Sequence, residues 1–269
     1  FSGGSDNGTY MVSGNYFDNK GTAISSGFER VNLRVNSQGS RGIFSFGENM
    51  ALSNAKSNEI PANSGISGNP YADVVRMLPT IPVYDENNPG GFGYGDEDRA
   101  RTFGTNPVAI ANLLNTTNEN FRLRGNIWSE INPTSFLSYR LNAGYETSND
   151  HYVFNRREGN WTLNQSYEPG INNENRARWQ RGLIENTLTY DEDFNKHAVK
   201  LLVGQTYQED RYEQIWGTKR NIPQNSVGEY YFVLDQGNEP QTGGFRQKAI
   251  LLSYLGRLEY NYDNKYLMN

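Results

Sequence analysis

The chain has 269 residues, and its 25 Lys and Arg against 30 Asp and Glu give a formal net charge of −5. This charge argues against a general nucleic-acid binder. Cysteine is absent, which excludes disulfide bridges, thiolate metal sites and a thiol nucleophile. No apolar run approaches the roughly 18 residues that a transmembrane helix needs, so insertion as a helix is excluded as well.

Alternation of apolar and polar residues is the strongest pattern in the chain. In residues 120–132, Leu123, Ile127 and Ile131 fall on one face of an extended strand, and charged or polar residues fall on the other. Residues 135–147 repeat the pattern after a short Pro-containing connection that is typical of a hairpin. Alternation of this kind predicts eight strands, at residues 10–16, 28–36, 43–52, 120–132, 135–147, 183–190, 198–207 and 249–262.

The connections between these strands alternate between short and long. Long loops are expected at about 53–119, 148–181 and 210–247, and two Asn-Pro pairs, at Asn69 and Asn106, predict short helices inside the first of them. Short turns at one end and long loops at the other are the arrangement of an outer-membrane barrel. The sequence therefore predicts an all-β fold, part of a large antiparallel up-and-down transmembrane β-barrel with long extracellular loops, of which about eight strands lie in this chain.

One face of each predicted strand suits lipid and the other suits water. Tyrosines near both strand ends fall on the lipid-facing parity, as in the aromatic girdles of outer-membrane barrels. Glu48 falls on that parity too, which would be costly unless its strand is bulged or touches another protein surface. The opposite parity predicts a polar lumen whose charged groups pair or line the cavity. The lumen-facing candidates are Arg30, Arg34, Arg122, Arg124, Trp128, Glu130, Arg140 and Lys200.

The second and third long loops are rich in aromatic residues, which are set among Asn, Gln and Glu. Aromatic faces with amide and carboxylate groups suit stacking on sugar rings or contact with peptide chains. Packing of one loop against another would use the same residues. The substrate-binding candidates are Tyr152, Trp161, Tyr167, Trp216 and Tyr230, and Trp179 and Tyr231 belong to the same aromatic set.

Residues for catalysis or cofactor binding do not stand out. The sequence has no G-x-S-x-G, H-E-x-x-H or P-loop motif, and its two histidines, His151 and His197, lie far apart. The acidic run Asp96, Glu97 and Asp98 does not have the spacing of an EF-hand loop. We therefore expect no enzyme activity, no metal site and no cofactor.

Two stretches carry more specific motifs. Residues 1–36 contain a Ser-Gly-Gly strand end, a Tyr-x-x-Ser-x-x-Tyr strand from Tyr10 and an Arg-x-x-x-Arg-x-Asn strand from Arg30. Residues 253–268 read SYLGRLEYNYDNKYLM. Together with a Pro-x-x-Pro-Val-Tyr stretch in the first long loop, these motifs resemble SusC/RagA-like TonB-dependent transporters of Bacteroidetes outer membranes over nearly the whole chain. Leu255 stands at a position where this family more usually has Phe.

The resemblance implies a barrel of about 22 strands with a plug domain, coupled to the TonB complex through the plug and N-terminal region. It further implies import of a bulky nutrient oligomer that is captured together with a SusD-like surface lipoprotein. Oligosaccharide is the first choice of substrate and oligopeptide a close second. The barrel would contact outer-membrane lipid, no nucleic acid is expected, and a dimer of transporter–lipoprotein pairs stays open.

Neither the plug domain nor the C-terminal strands are among residues 1–269. Eight strands alone would leave two open edges in lipid, which the backbone hydrogen-bonding requirement forbids. We therefore expect an internal segment of a longer transporter. Two alternatives stay open: a soluble secreted β-sandwich that binds glycans, and a passive porin.

Overall fold

The computed structural model describes residues 1–60, 69–95, 104–160 and 169–268. Its strands form one antiparallel ten-stranded sheet, in which each strand pairs with its neighbours in sequence. The strands are β1 (Ser2–Ser5), β2 (Gly8–Lys20), β3 (Gly27–Arg41), β4 (Phe44–Glu59), β5 (Leu114–Thr134), β6 (Leu137–Arg156), β7 (Ile171–Phe194), β8 (His197–Arg220), β9 (Asn238–Tyr262) and β10 (Tyr266–Met268).

All eight predicted strands are present, and the short strands β1 and β10 flank them. The strands are longer than predicted, with 24 residues in β7 and in β8. The long connections accordingly cover 60–113, 157–170 and 221–237, which corrects the expected bounds of about 53–119, 148–181 and 210–247. Polar residues occupy both faces at the ends of the strands nearest the long connections, as in the Asn-Asn-Glu-Asn run near the start of β7. The alternation therefore stops there while backbone pairing continues.

The described strands belong to a single sheet, and this bears on one of the alternative folds. A β-sandwich packs two sheets face to face over a shared core. Here both faces of the long strands carry half-buried or exposed side chains. The soluble sandwich is therefore not the observed fold, and the long antiparallel strands match the predicted barrel wall.

The sheet has one apolar and one polar face. Directly paired residues of antiparallel strands share a face, and Leu33 pairs with Leu52, which pairs with Leu123. We call this side the apolar face, and the side that carries Arg122 the polar face. The eight tyrosines predicted to form girdles all lie on the apolar face: Tyr10, Tyr16, Tyr139, Tyr145, Tyr190, Tyr207, Tyr260 and Tyr262.

Glu48 lies on the apolar face, as the alternation predicts. The pairing of β4 with both of its neighbours has no register shift, so the predicted alternative of a bulge is wrong. Ser37 is its direct partner on β3, and the Ser37 hydroxyl donates a hydrogen bond of 2.5 Å to Glu48 Oε2. Glu48 is four residues from Phe44, the first residue of β4, so the carboxylate lies near the short-turn end of the sheet, where the cost of exposing it to lipid is lower.

Two short helices lie in the first long connection, where the Asn-Pro pairs predicted them. In α1 (Pro70–Arg76) the N-cap is Asn69, and in α2 (Pro107–Leu113) it is Asn106. A small apolar core forms beneath α2 from Phe92, Ala109, Ile110 and Leu113. Within the described residues, no helix has the length and apolar character needed to cross a membrane.

Candidate functional site

The lumen-facing candidates share one side of the sheet. The register of β3 through β8 carries the polar face from strand to strand, for example from Arg34 through Ala51 to Arg124. That this face lines the barrel interior stays a prediction. The candidates on the polar face are Arg30, Arg34, Arg122, Arg124, Trp128, Glu130, Arg140 and Lys200.

Three of these cations pair with carboxylates of the same sheet. Arg124 Nη2 lies 2.7 Å from Glu146 Oε1, and Lys200 Nζ lies 2.8 Å from Asp191 Oδ2. Arg140 Nη1 lies 3.5 Å from Glu130 Oε2, and its guanidinium lies 4.3 Å from the Trp128 ring centroid. These side chains hold neighbouring strands together through charge pairs and a cation–π contact.

Arg30, Arg34 and Arg122 differ from that group. Their side chains are exposed, and none has an ion-pair partner among the described residues. Arg30 is 5.9 Å from the ring centroid of Phe28, at the outer limit of a cation–π contact. The polar face of β3 and β5 thus presents positive charge that is available to an anionic group.

Two substrate-binding candidates lie in one row across the polar face, at the long-loop end of the strands. Asn175 of β7 pairs directly with Tyr152 of β6 and with Trp216 of β8. Neighbouring strands lie about 4.8 Å apart, so the two aromatic residues flank Asn175 at two strand spacings. Both residues are 37% exposed. The row offers two aromatic side chains with an amide between them.

Hydrogen-bonded polar groups extend this row. Gln214 Nε2 donates to Asn175 Oδ1 at 2.9 Å, and the Tyr212 hydroxyl donates to Gln214 Oε1 at 3.4 Å. The Tyr212 and Phe245 rings lie 5.8 Å apart at 52°, in the range of favourable aromatic pairs. We call Tyr152, Asn175, Tyr212, Gln214, Trp216 and Phe245 the aromatic–amide patch.

Gly243 has no side chain, which leaves room for the Trp216 ring. The two residues pair directly across β8 and β9, and a Cβ added at Gly243 would lie 2.6 Å from Trp216 Cε2. Any larger residue would therefore push the indole aside. A glycine within a strand often marks such a close approach.

A charged set lies next to the patch, further from the long loops. Arg181 Nε donates to Asp210 Oδ1 at 2.7 Å, and Gln208 Nε2 donates to Asp210 Oδ2 at 2.6 Å. The Arg181 guanidinium also lies 4.9 Å from the centroid of the Trp179 ring. Trp179, predicted as part of the aromatic set, is thus held by contacts within the sheet.

Tyr230 lies away from the patch, where two long connections meet. Its ring stacks on Phe232 at 5.5 Å and 12°, and the Arg157 guanidinium of the second connection lies 5.9 Å from its centroid. Burial raises the pKa of the Tyr230 hydroxyl above its ordinary value. Tyr231 is 66% exposed. A substrate contact for Tyr230 stays a prediction; its observed contacts are with Phe232 of its own connection and with Arg157 of the second connection.

Several predicted residues lie outside the described part of the chain. These are Trp161 and Tyr167 among the substrate-binding candidates, and the acidic run Asp96, Glu97 and Asp98. In the ranges that the structure does describe, no three or more His, Cys, Asp or Glu side chains come together in a group that could hold a metal ion.

Five residues of the site and its surroundings escaped sequence analysis: Asn175, Tyr212, Gln214, Gly243 and Phe245. The strand prediction ended β8 at Tyr207, yet β8 continues to Arg220, and its register places Tyr212, Gln214 and Trp216 on the polar face. Residues 208–216 do not alternate between apolar and polar, so the sequence carries no periodic signal that would have placed Trp216 on a strand.

The chain is similar in sequence to known TonB-dependent receptors. No family model matches the chain. It is 25% identical to TonB-dependent receptor P3 of Formosa agariphila, over 99% of this chain and 26% of that protein. It is also 25% identical to TonB-dependent receptor P26 of the same organism, again over 99% and 26%. The chain thus spans about a quarter of the length of the curated relatives it matches.

Solved structures also match nearly the whole of this chain, and the match covers under a third of the other chain. The chain superposes on the RagAB peptide transporter with a TM-score of 0.77 and 22% identity, over 98% of this chain and 30% of that one. The RagAB peptide importer in the "open-open" state gives a TM-score of 0.76 and 22% identity, over 97% and 29%. These similarities confirm the resemblance and the fold class that the sequence predicted.

Proposed function

We propose that this chain, a wall segment of a SusC/RagA-like TonB-dependent transporter in the outer membrane, takes part in the active import of a bulky nutrient oligomer. The relatives are named as receptors and transporters, and none of them is named as an enzyme. Because the chain spans about a quarter of the relatives' length, import is proposed for a complete transporter and not for these residues alone.

The aromatic–amide patch is the observation that carries the proposal. It lies on the polar face at the long-loop end, where a substrate entering from outside would first meet the barrel wall. Tyr152 and Trp216 offer ring faces for stacking, and Asn175 offers an amide between them. Sites for small polar ligands combine such surfaces with a few convergent polar groups.

Oligosaccharide is the first choice of substrate, and oligopeptide is the second. Sugar rings have apolar faces that stack on aromatic side chains and hydroxyls that bond to amides, which fits the patch. The name of the RagAB peptide transporter favours the second choice, since extended peptides also bond to amide side chains. The two choices are distinguished by which class of oligomer, oligosaccharide or oligopeptide, competes with bound substrate.

Partners of the complete transporter follow from the same proposal. A SusD-like surface lipoprotein would close over the long loops and hold the oligomer against the patch. The TonB complex would supply energy through the plug region, and Arg30, Arg34 and Arg122, which have no ion-pair partner in the described chain, would face plug carboxylates. The proposed role requires no covalent chemistry from the described residues. A dimer of transporter–lipoprotein pairs is compatible with this arrangement.

The Trp216→Ala substitution in the complete transporter tests the proposal. Loss of one stacked aromatic ring is expected to weaken oligomer binding about 10-fold, since an aromatic contact contributes roughly 1–1.5 kcal/mol. Uptake at limiting oligomer should fall in proportion. The measurement is binding and uptake of oligosaccharide and oligopeptide mixtures by cells that depend on this transporter.

Trp128→Ala is the matched control, because it removes the same side chain from the same face near the short-turn end. Its stack on Arg140 is structural, so binding should stay within about 2-fold while the surface amount of transporter is measured in parallel. Equal binding by wild type and the Trp216 variant, at equal surface amounts, would rule out the patch as a substrate contact. Uptake that needs no TonB would favour the porin alternative.

A further inference from the structure

The apolar face has an open groove across β6, β7 and β8, at the level of Tyr145 and Tyr207, the tyrosines nearer to the long loops. Gly182 pairs with Tyr145 on one side and with Glu209 on the other, and a Cβ added at Gly182 would meet no atom within 4 Å. Ala143 and Ile184 continue the groove toward the short-turn end. Its lining is small or apolar toward the short-turn end, whereas Gln180, Glu209 and Arg211 border it toward the long loops. The groove faces away from the polar face that the proposed import uses.

Two tyrosines frame this groove and mark its polar end. The Tyr145 hydroxyl accepts a hydrogen bond of 2.6 Å from Gln180 Nε2, and the Tyr207 hydroxyl donates one of 3.0 Å to Glu209 Oε2. Gln180 lies two residues closer to the long loops than Gly182, and Glu209 lies two residues closer to them than Tyr207. Both hydroxyls therefore point to the long-loop end, as expected for aromatic residues at a membrane–water interface.

A basic cluster lies directly beyond the tyrosines on the same face. It consists of Arg176 and Arg178 of β7, Arg211 of β8, and Arg246 and Lys248 of β9. All five side chains are exposed. The carboxylates on this part of the face are Glu174, Glu209 and Glu213, so five cations against three anions leave a net charge of +2.

The carboxylates are already engaged by other members of the face. Glu209 lies 2.5 Å from Arg211 and 3.2 Å from Lys248, and Glu213 lies 3.5 Å from Arg246. Glu174 lies 3.4 Å from His151. Arg176 and Arg178 have no ion-pair partner among the described residues. The excess positive charge is therefore concentrated on β7, between the groove and the long loops.

We propose that this surface binds a phosphate-bearing lipid of the outer leaflet, with an acyl chain in the groove at Gly182 and the phosphate at Arg178. Apolar groove, interfacial tyrosines and cations follow one another along the strands in the order of acyl chain, interface and headgroup in a lipid. Arginine forms strong charge-assisted hydrogen bonds with phosphate. The site requires membrane insertion of the sheet but not the proposed transport activity.

Two single substitutions in the complete, detergent-purified transporter test the two halves of the site separately. Arg178→Gln should lower retention of phosphatidylglycerol about 5-fold, since one cation near an anionic lipid surface contributes about 1 kcal/mol, and should leave retention of diacylglycerol, which carries no phosphate, unchanged. Gly182→Leu fills the groove without changing charge and should lower retention of both lipids. Native mass spectrometry counts the bound lipids.

Matched controls are available elsewhere on the apolar face. Lys56→Gln removes a cation of the same face that is paired with Glu119 at 3.0 Å, and Gly14→Leu enlarges an exposed glycine of β2 with no contact closer than 3.9 Å. Neither change should alter lipid retention by more than about 2-fold.

Three outcomes would overturn the proposal. Equal phosphatidylglycerol retention by wild type and both test variants would mean that the surface holds no specific lipid. Equal losses in test and control variants would point to general charge or hydrophobicity. Full competition by inorganic phosphate, with no effect of Gly182→Leu, would mean that the cations bind free phosphate and not a lipid. Transport assays do not enter this test, so its failure would leave the proposed import intact.

Discussion

Replacing Asn106 with alanine is expected to unfold the first long connection locally while the strands stay paired. The Asn106 side chain is 2% exposed, and its amide nitrogen donates to the carbonyl oxygens of Val83 and Gly93, both at 2.9 Å. Its Oδ1 accepts from the amides of Val108 and Ala109 at 3.0 and 3.1 Å. Loss of the helix cap costs about 1 kcal/mol, and the Gly93 carbonyl, which would be left without a partner, adds about 1–3 kcal/mol. The Val83 carbonyl keeps the bond that it accepts from the Gly93 amide at 3.1 Å. The local opening free energy should therefore fall by about 3 kcal/mol.

Hydrogen-exchange mass spectrometry on the complete transporter measures this opening at residues 104–113. Asn69→Ala is the matched control, because Asn69 caps the other short helix with its side chain, which accepts from the Tyr71 amide at 3.2 Å. Among the described residues the Asn69 side chain makes no other hydrogen bond. The effect of Asn69→Ala should stay at about 1 kcal/mol. Equal protection losses in the two variants would show that the two carbonyl bonds of Asn106 do not hold the connection together.

The strands could be predicted because their two faces meet different surroundings. Leu123, Ile127 and Ile131 alternate with polar residues as long as one face of β5 is apolar. Near the long connections both faces meet water, and there the polar ends of β7 and β8 give no alternation that marks a strand. The predicted loop bounds were therefore wrong by the length of these polar strand ends, although the order and pairing of the strands were right.

The candidate site was predictable as residues but not as an arrangement. Tyr152 and Trp216 stand out from composition alone, yet they are 64 positions apart, and only the register of β6, β7 and β8 places Asn175 between them. That register depends on backbone pairing over the whole sheet. Gly243 could not be assigned either, since a glycine in a sequence does not reveal which ring lies across it.

Arg in place of Leu188 is expected to destabilise the membrane-embedded sheet by about 2–3 kcal/mol. Leu188 is 40% exposed on the apolar face, where it pairs with Tyr139 and Val203, so neither neighbour offers a counter-charge. It lies between the tyrosine level of Tyr190 and the groove residue Ile184. An arginine that faces lipid costs about 2–4 kcal/mol at the bilayer midplane and less toward the interfaces.

Thr189→Arg is the matched control because it adds the same charge one residue further along the same strand but on the polar face. Its direct partners, Ser138 and Leu202, are uncharged, so a difference between the two variants reports which face meets lipid. Urea unfolding of the complete transporter in lipid vesicles gives both free energies, and the control should differ from wild type by less than about 1 kcal/mol. The reverse order, with Thr189→Arg the more costly change, would mean that the polar face meets lipid, and it would overturn the assignment of that face to the lumen. The aromatic–amide patch would then lie outside the barrel, since Trp216 and Thr206 share a face with Thr189 through the unbroken pairing of β7 and β8.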